Sequence, residues 1–319
     1  VYSTKVFFQK TIWPVLFTSF LFSGISVPVN SQTGCSSNDS LRTCNLGGLH
    51  TLNYETDPKD IPFTLRSYRR GNAWQYYLEI SSLNGNTFSL VSDNGEQIDI
   101  SITFTSNGGV TETLSPGVLA GAFNGTTNDA NALLSVEVIS AQVPSSSRYS
   151  GSFQMELSQY LWIFPIDTET IEFDITLEVE PSITIRNLGD IDLSNSGITL
   201  GQAIKGSEDF CVGGIGFSNY TVNLSSSNGS TGGGGSSSYE LGGSSENIPY
   251  AVTFSDDLSG TSGIAPSGLG DVPGSFPRKT DETCLTDNAR VYITVSPSDW
   301  ENANEPFYTD VLTVTVSSQ

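Results

Sequence analysis

The sequence predicts an all-β protein of two tandem β-sandwiches, and three observations carry that reading. Hydrophobic residues make up 37% of the 319 and charged residues only 15%, with 32 Gly and 14 Pro, so apolar segments are short and turns are many. Apolar side chains alternate with polar ones instead of recurring at helical spacing. Ile98, Ile100, Ile102 and Phe104 share one face while Asp99, Ser101 and Thr103 share the other, the pattern of a half-buried strand. The two halves of the chain also end alike, and at roughly 100 to 200 residues per domain the length holds two such units.

Residues 1–26 contain Lys5 and Lys10, no acidic residue, an apolar stretch from Thr11 to Phe22, and then the small residues Gly24 and Ser26. This pattern predicts a secretory signal cleaved near Ser26. The stretch is shorter than the 18 or more apolar residues of a membrane span and is interrupted by Pro14. The mature chain is expected to be exported. Its four cysteines then sit in an oxidising compartment, where an even number favours disulfides. Sequence permits three pairings of Cys35, Cys44, Cys211 and Cys284; if each domain closes its own bridge, they are 35–44 and 211–284.

In the first half, short alternating runs at Tyr77–Ile80, Phe88–Leu90 and Ile98–Phe104 are separated by Asn84-Gly85 and Asn94-Gly95, which are hairpin signals. A repeat links the halves. Tyr149-Ser150-Gly151-Ser152-Phe153-Gln154-Met155-Glu156-Leu157-Ser158 aligns without gaps to Tyr308-Thr309-Asp310-Val311-Leu312-Thr313-Val314-Thr315-Val316-Ser317. Upstream, Asn131-Ala132 leading to Val136 and Val138 matches Asn288-Ala289 leading to Ile293 and Val295. Two homologous domains explain both matches. The period-two pattern breaks at Tyr160–Pro165, so the expected division is a signal at 1–26, a first sandwich at 27–165 and a second at 166–319. Ser225 to Ser245 is almost all Ser and Gly and reads as a surface loop or hairpin tip.

Composition also excludes functions. Asp and Glu outnumber Lys and Arg 34 to 13, a net charge of −21 that repels a phosphate backbone, so no nucleic-acid partner is expected. The single histidine, His50, reads as a loop residue and removes most metal-site and histidine-base chemistry. There is no Gly-x-Ser-x-Gly context, P-loop or His-Glu-x-x-His. Asp190 with Asp192 and Asp256 with Asp257 are the remaining acid pairs for glycosidase or calcium chemistry, and proximity alone assigns neither. The reading is a non-enzyme without catalytic residue, cofactor or metal.

Two stretches are candidates for surface binding. Arg66, Arg69 and Arg70 lie beside Tyr68 and Trp74 in an otherwise acidic chain, and arginine with exposed aromatics is common in recognition surfaces. Pro116–Phe123 is an apolar, Gly-containing stretch that would project Val118, Leu119 and Phe123 if it were a loop.

The run Phe173-Asp174-Ile175-Thr176-Leu177-Glu178-Val179-Glu180-Pro181, then Leu188-Gly189-Asp190-Ile191-Asp192, Cys211, Tyr220-Thr221-Val222-Asn223-Leu224, Ile248-Pro249-Tyr250-Ala251-Val252 and finally Tyr308–Val316 resembles the pilin-like domains of the spore coat U family of archaic chaperone–usher pili. The resemblance covers residues 170–319; the first half shares only its last two strands. It implies immunoglobulin-like sandwiches, the C-terminal one lacking a strand that a neighbouring subunit supplies. It also implies a periplasmic chaperone, an outer-membrane usher and an adjacent pilus subunit as partners. Leu312, Val314 and Val316 would border the acceptor groove. Residues after Ser26 offer no alternating donor run, so the resemblance implies a two-domain tip adhesin, displayed at the cell surface, whose first domain meets a surface receptor or glycan. The other readings are a self-contained secreted carbohydrate-binding sandwich and a structural coat protein.

Ile171, Phe173, Ile175, Leu177 and Val179 form the best donor-type segment in the chain. Burying five such side chains is worth on the order of 10 kcal/mol before ordering costs. Either this segment completes the first domain in cis, or it is the first strand of the second.

Overall fold

The computed structural model describes residues 3–11, 34–36, 38–54, 57–139, 143–195, 197–229, 238–281 and 283–319. Residues 12–26 of the expected signal and Gly232–Gly235 of the Ser/Gly stretch lie outside the described residues. The chain divides into two compact units. The first lies within Phe20–Glu180; the second joins Pro181–Gln319 to the opening segment, where strand β1 (Ser3–Thr11) lies. The division falls at Glu180 and not at 165, because the break at Tyr160–Pro165 is a hairpin turn inside the first unit.

Among the described residues the first unit contains twelve strands: β2 (Leu41–Cys44), β3 (Gly48–Asn53), β4 (Lys59–Arg69), β5 (Asn72–Ala73), β6 (Tyr76–Ser82), β7 (Ser89–Val91), β8 (Gln97–Thr105), β9 (Thr111–Thr113), β10 (Ala120–Phe123), β11 (Ala130–Val138), β12 (Arg148–Leu161) and β13 (Phe164–Glu178). They follow the order β10-β6-β12-β7-β8-β11-β4-β2, with β13 on the other edge of β12 and β3 beyond it. Alternation becomes burial as expected. Ile98, Ile100, Ile102 and Phe104 of β8 are all buried, and Phe104 meets Phe123 of β10 edge-on at 5.0 Å. Asn94-Gly95 does lie in the connection of an antiparallel hairpin, β7 with β8. Asn84-Gly85 does not: β6 and β7 pair with β12, not with each other.

The second unit adds β14 (Ser182–Arg186), β15 (Ile191–Asp192), β16 (Ile204–Ile215), β17 (Asn219–Ser226), β18 (Glu240–Gly242), β19 (Asn247–Pro249), β20 (Ala251–Ser255), β21 (Asp271–Pro277), β22 (Ala289–Val295) and β23 (Phe307–Ser318). One sheet runs β14-β16-β22-β20 and the other β15-β1-β23-β17-β21, with the β18–β19 pair attached to β23. Phe210, Tyr220, Phe254 and Phe276 fill the core. Helix among the described residues is confined to the turns Leu193–Asn195 and Pro297–Trp300, and none is long enough to cross a membrane. Both disulfides, Cys35–Cys44 and Cys211–Cys284, are formed, one in each unit.

The aligned tyrosines occupy matching corners. Tyr149 opens β12, accepts the backbone N–H groups of Ser145 and Ser146 at 2.9 Å and donates to Glu96. Tyr308 opens β23, accepts the N–H of Glu305 at 3.0 Å and donates to Glu246. Each hydroxyl ties the start of a core strand to a distant loop, as in the tyrosine corners of immunoglobulin-like sandwiches. Beside the second corner, Glu305 accepts the hydroxyl of Ser245 at 2.6 Å, that of Ser244 at 2.9 Å and the backbone N–H of both. These bonds, the Ser245 hydroxyl foremost, hold its carboxyl down at about 2. A folded-state value below the unfolded one stabilises above the unfolded value, and the gain is lost as pH falls toward the folded one. Glu305→Gln is therefore expected to melt slightly below the parent at pH 7, the exposed carboxyl being screened by solvent, with the gap closing as pH falls from about 4.5 to about 2, as read by circular dichroism.

Candidate functional site

β1 occupies a slot in the second unit. It runs parallel to β23 over nine positions, from Ser3 beside Phe307 to Thr11 beside Thr315, and antiparallel to β15 on its other side through Lys5 and Val6. One side of this slot is β23, whose buried row Tyr308, Asp310, Leu312, Val314 and Val316 contains the three residues expected to border an acceptor groove. Asp310 is the polar member. Its carboxylate accepts the hydroxyls of Tyr250 at 2.6 Å and Ser227 at 2.8 Å and the N–H of Asn228 at 3.2 Å. Burial first, and then this carboxylate, push the Tyr250 phenol up.

The equivalent place in the first unit is held by β13, which pairs antiparallel with β12 along its whole length and parallel with β3. Of the five donor-type residues, Phe173, Ile175, Leu177 and Val179 are buried and Ile171 is half-buried. Phe173 stacks on Phe153 of β12 at 5.6 Å. Residues 171–178 are thus part of the first unit. The two occupants differ in quality: β13 is apolar at every second position from Ile171 to Leu177, whereas β1 has Val6 beside Asp310 and Phe8 beside Leu312, then Lys10 beside Val314. They also differ in direction, since β1 runs with β23 while β13 runs against β12.

The second feature is the end of the first unit away from Glu178. Leu161 pairs with Phe164, so Trp162-Ile163 is a two-residue turn, exposed at 93% and 80%, with Phe164 at 68% and Leu161 at 41%. The last position paired with β6 is Ser158 beside Tyr77, and three further residues carry the tip about 10 Å beyond it. The base is rigid. Trp74 donates its indole N–H to the Tyr160 carbonyl at 3.2 Å, the Tyr77 ring meets Tyr160 edge-on at 5.2 Å, and buried Gln159 donates to the Ser67 hydroxyl at 2.9 Å. A Cβ on Gly125 would lie 2.1 Å from the Trp74 carbonyl and 2.2 Å from that of Ser67. The close approach of these backbones therefore requires glycine there.

The expected surface residues separate at this pole. Arg69 lies over Trp74 at 5.3 Å, and Arg70 is exposed in the turn after β4; among the described residues neither has an ion-pair partner. Arg66 is committed elsewhere, donating to Asp39 and lying 3.8 Å from Asp129, although its guanidinium also lies near Tyr68, itself half-buried. Val118 and Leu119 are exposed, but Phe123 is not. It is buried on Tyr76 at 5.6 Å because Ala120–Phe123 forms an edge strand on β6. His50 is a strand residue of β3 paired with Ile175, not a loop residue. One acid of each pair closes a turn: Asp192 accepts the Ser194 N–H and hydroxyl, and Asp257 those of Ser259. No group of three or more His, Cys, Asp or Glu converges among the described residues. In the sequence reading Leu161–Phe164 marked only a domain boundary and no binding role, although four consecutive large apolar residues between two alternating strands were the available signal.

No family model matches the chain, so the resemblance to the spore coat U family rests on the residues that suggested it, and no curated protein matches either. Several solved structures are similar at a distance. The complex of the chaperone CsuC with the tip adhesion subunit CsuE, from the archaic chaperone–usher Csu pili of Acinetobacter baumannii, is 12% identical, with a TM-score of 0.41 over 84% of this chain and 97% of that chain. The CupB6 tip adhesin of Pseudomonas aeruginosa is 8% identical, with a TM-score of 0.39 over 86% and 99%. CfaE, the adhesive subunit of the CFA/I fimbria of enterotoxigenic Escherichia coli, is 12% identical, with a TM-score of 0.33 over 85% and 97%.

Proposed function

We propose that the chain is an exported fimbrial subunit, the tip adhesin of a chaperone–usher pilus. Its second unit accepts a strand from a partner, and its first unit carries the binding surface. The observation that supports this reading is the slot between β23 and β15, held by a segment whose sequence is that of a cleavable leader. Once that segment is removed, the β23 edge has unpaired backbone groups and an apolar row. Strand addition by a periplasmic chaperone and then by the adjacent subunit satisfies both, and the outer-membrane usher is the site of that transfer. The first unit needs no such help because β13 completes it in cis. Non-enzymatic attachment at the cell surface follows, with the pole around Trp162, Arg69 and Trp74 as the contact region.

Strand capture is directly measurable. A chain starting at Val27 with Thr309→Cys is mixed with a peptide of residues 3–11 carrying cysteine in place of Lys5, the register partner of Thr309. A disulfide is expected at position 309 and not at a control cysteine replacing Thr253 of β20. Equal cross-linking at both positions, or none, would overturn strand acceptance and direct attention to a self-contained binding protein.

A further inference from the structure

The turn joining β12 to β13 combines three properties that folding alone does not call for. Four consecutive large apolar side chains are exposed at its tip. The first residue of the two-residue turn, Trp162, has a φ of 63°, a left-handed conformation that hairpin turns normally give to Gly, Asn or Asp. The base is fixed by the Trp74–Tyr160 hydrogen bond and the Gln159–Ser67 contact. A bulky aromatic held in a strained turn at an exposed site marks a function that outweighs local stability.

The shape and chemistry of the tip select its partner. It is a convex prominence in which Leu161 and Phe164 are paired to each other, so apart from the irregularity at Ile166 the ladder meets the backbone needs of the hairpin up to its two-residue turn. Such a tip can enter an apolar phase with few unpaired polar groups. Tryptophan favours the boundary between headgroups and acyl chains, and phenylalanine and leucine are common on the apolar faces that bury into it. Arg69, held over Trp74 behind the tip, and the neighbouring Arg70 bring positive charge to the level of lipid phosphates, in a chain whose net charge is −21. That overall charge disfavours strongly anionic membranes and favours a zwitterionic one.

We propose that Leu161-Trp162-Ile163-Phe164 is a lipid-inserting tip that seats the first unit on a zwitterionic phospholipid surface, with Arg69 and Arg70 at headgroup level. This deepens the adhesin reading by naming what the pole meets, and it rests on that reading for the display of the pole. The test uses the full chain with β1 in its slot, so a failure of strand acceptance leaves the vesicle result unaffected.

The full chain is mixed with vesicles of dioleoylphosphatidylcholine and floated on a density gradient. The parent, Trp162→Asp and Trp162→Gly all keep the apolar stretch at residues 12–22, so differences between them report on the tip alone. The parent is expected to float, and both variants to lose at least tenfold in vesicle-bound fraction. Trp162→Gly is expected to melt at or above the parent, because glycine accepts the left-handed turn without strain. Arg69→Glu with Arg70→Glu is expected to weaken flotation severalfold while lowering the melt only slightly, through the lost contact with Trp74. Failure of the parent to float, or equal flotation of parent and Trp162→Gly, overturns the proposal. So does retention of the parent by an immobilised protein partner without any affinity for vesicles.

Discussion

A chain that begins at Val27 is expected to melt about 10 to 20 °C below the full chain in its second unit, with the transition of the first unit unmoved. Removing β1 strips nine register positions from one edge of β23 and uncovers the row that includes Leu312 and Val314. Those two side chains account for roughly 1.5 to 3 kcal/mol each, and the freed edge groups bring the loss to about 5 kcal/mol. For a unit of this size each kcal/mol moves the midpoint by about 2 to 4 °C. Water also reaches the buried Asp310 carboxylate and its Tyr250 partner, whose pairing is worth most when it is dry. Differential scanning calorimetry of the two chains reads the result. Identical thermograms would mean that β1 contributes nothing to the second unit and that the slot is not a strand acceptor.

Phe173→Ala should have the complementary effect, lowering the first unit by about 3 to 5 kcal/mol while sparing the second. Phe173 is buried, stacked on Phe153 and edge-on to His50 at 6.3 Å, so truncation leaves a cavity between β12, β13 and β3. The selectivity carries the argument. If residues 171–178 were the opening strand of the second unit, the lower-melting transition would belong to that unit. Separate tryptophan reporters, Trp74 in the first unit and Trp300 in the second, assign each transition in urea or heat.

The sequence revealed the elements better than their partners. Period-two alternation identified β8 and β13 as strands because each has one wet and one dry face, and the gapless match at Tyr149 and Tyr308 found two corners that the structure builds alike. Alternation says nothing about which sheet receives a strand. The membership of β13 was therefore open until its pairing with both β12 and β3 placed it in the first unit. The acids that complete the corners, Glu96 and Glu246, lie 53 and 62 residues from their tyrosines and have no local signature. Leu161–Phe164 was read as a boundary because it breaks the period, and a tight turn breaks a period as surely as a linker does. Phe123 misled for the opposite reason. Its Gly-Ala context suggests a loop, yet the segment zips onto β6 and carries the ring into the core.

The opposite directions of β1 and β13 bear on how easily each is displaced. An antiparallel ladder has hydrogen bonds perpendicular to its strands, whereas the slanted bonds of a parallel ladder hold slightly less per residue. β13 grips β12 in the stronger sense and is covalently continuous with it through a two-residue turn, so the first unit is permanently closed. β1 lies along β23 in the weaker sense, with a lysine at one of its alternating positions. A competing segment that runs the other way and is apolar at every second position would displace it downhill, and the return step would be uphill. If the second unit accepts such a strand, the direction of travel along that one strand would make it a one-way latch.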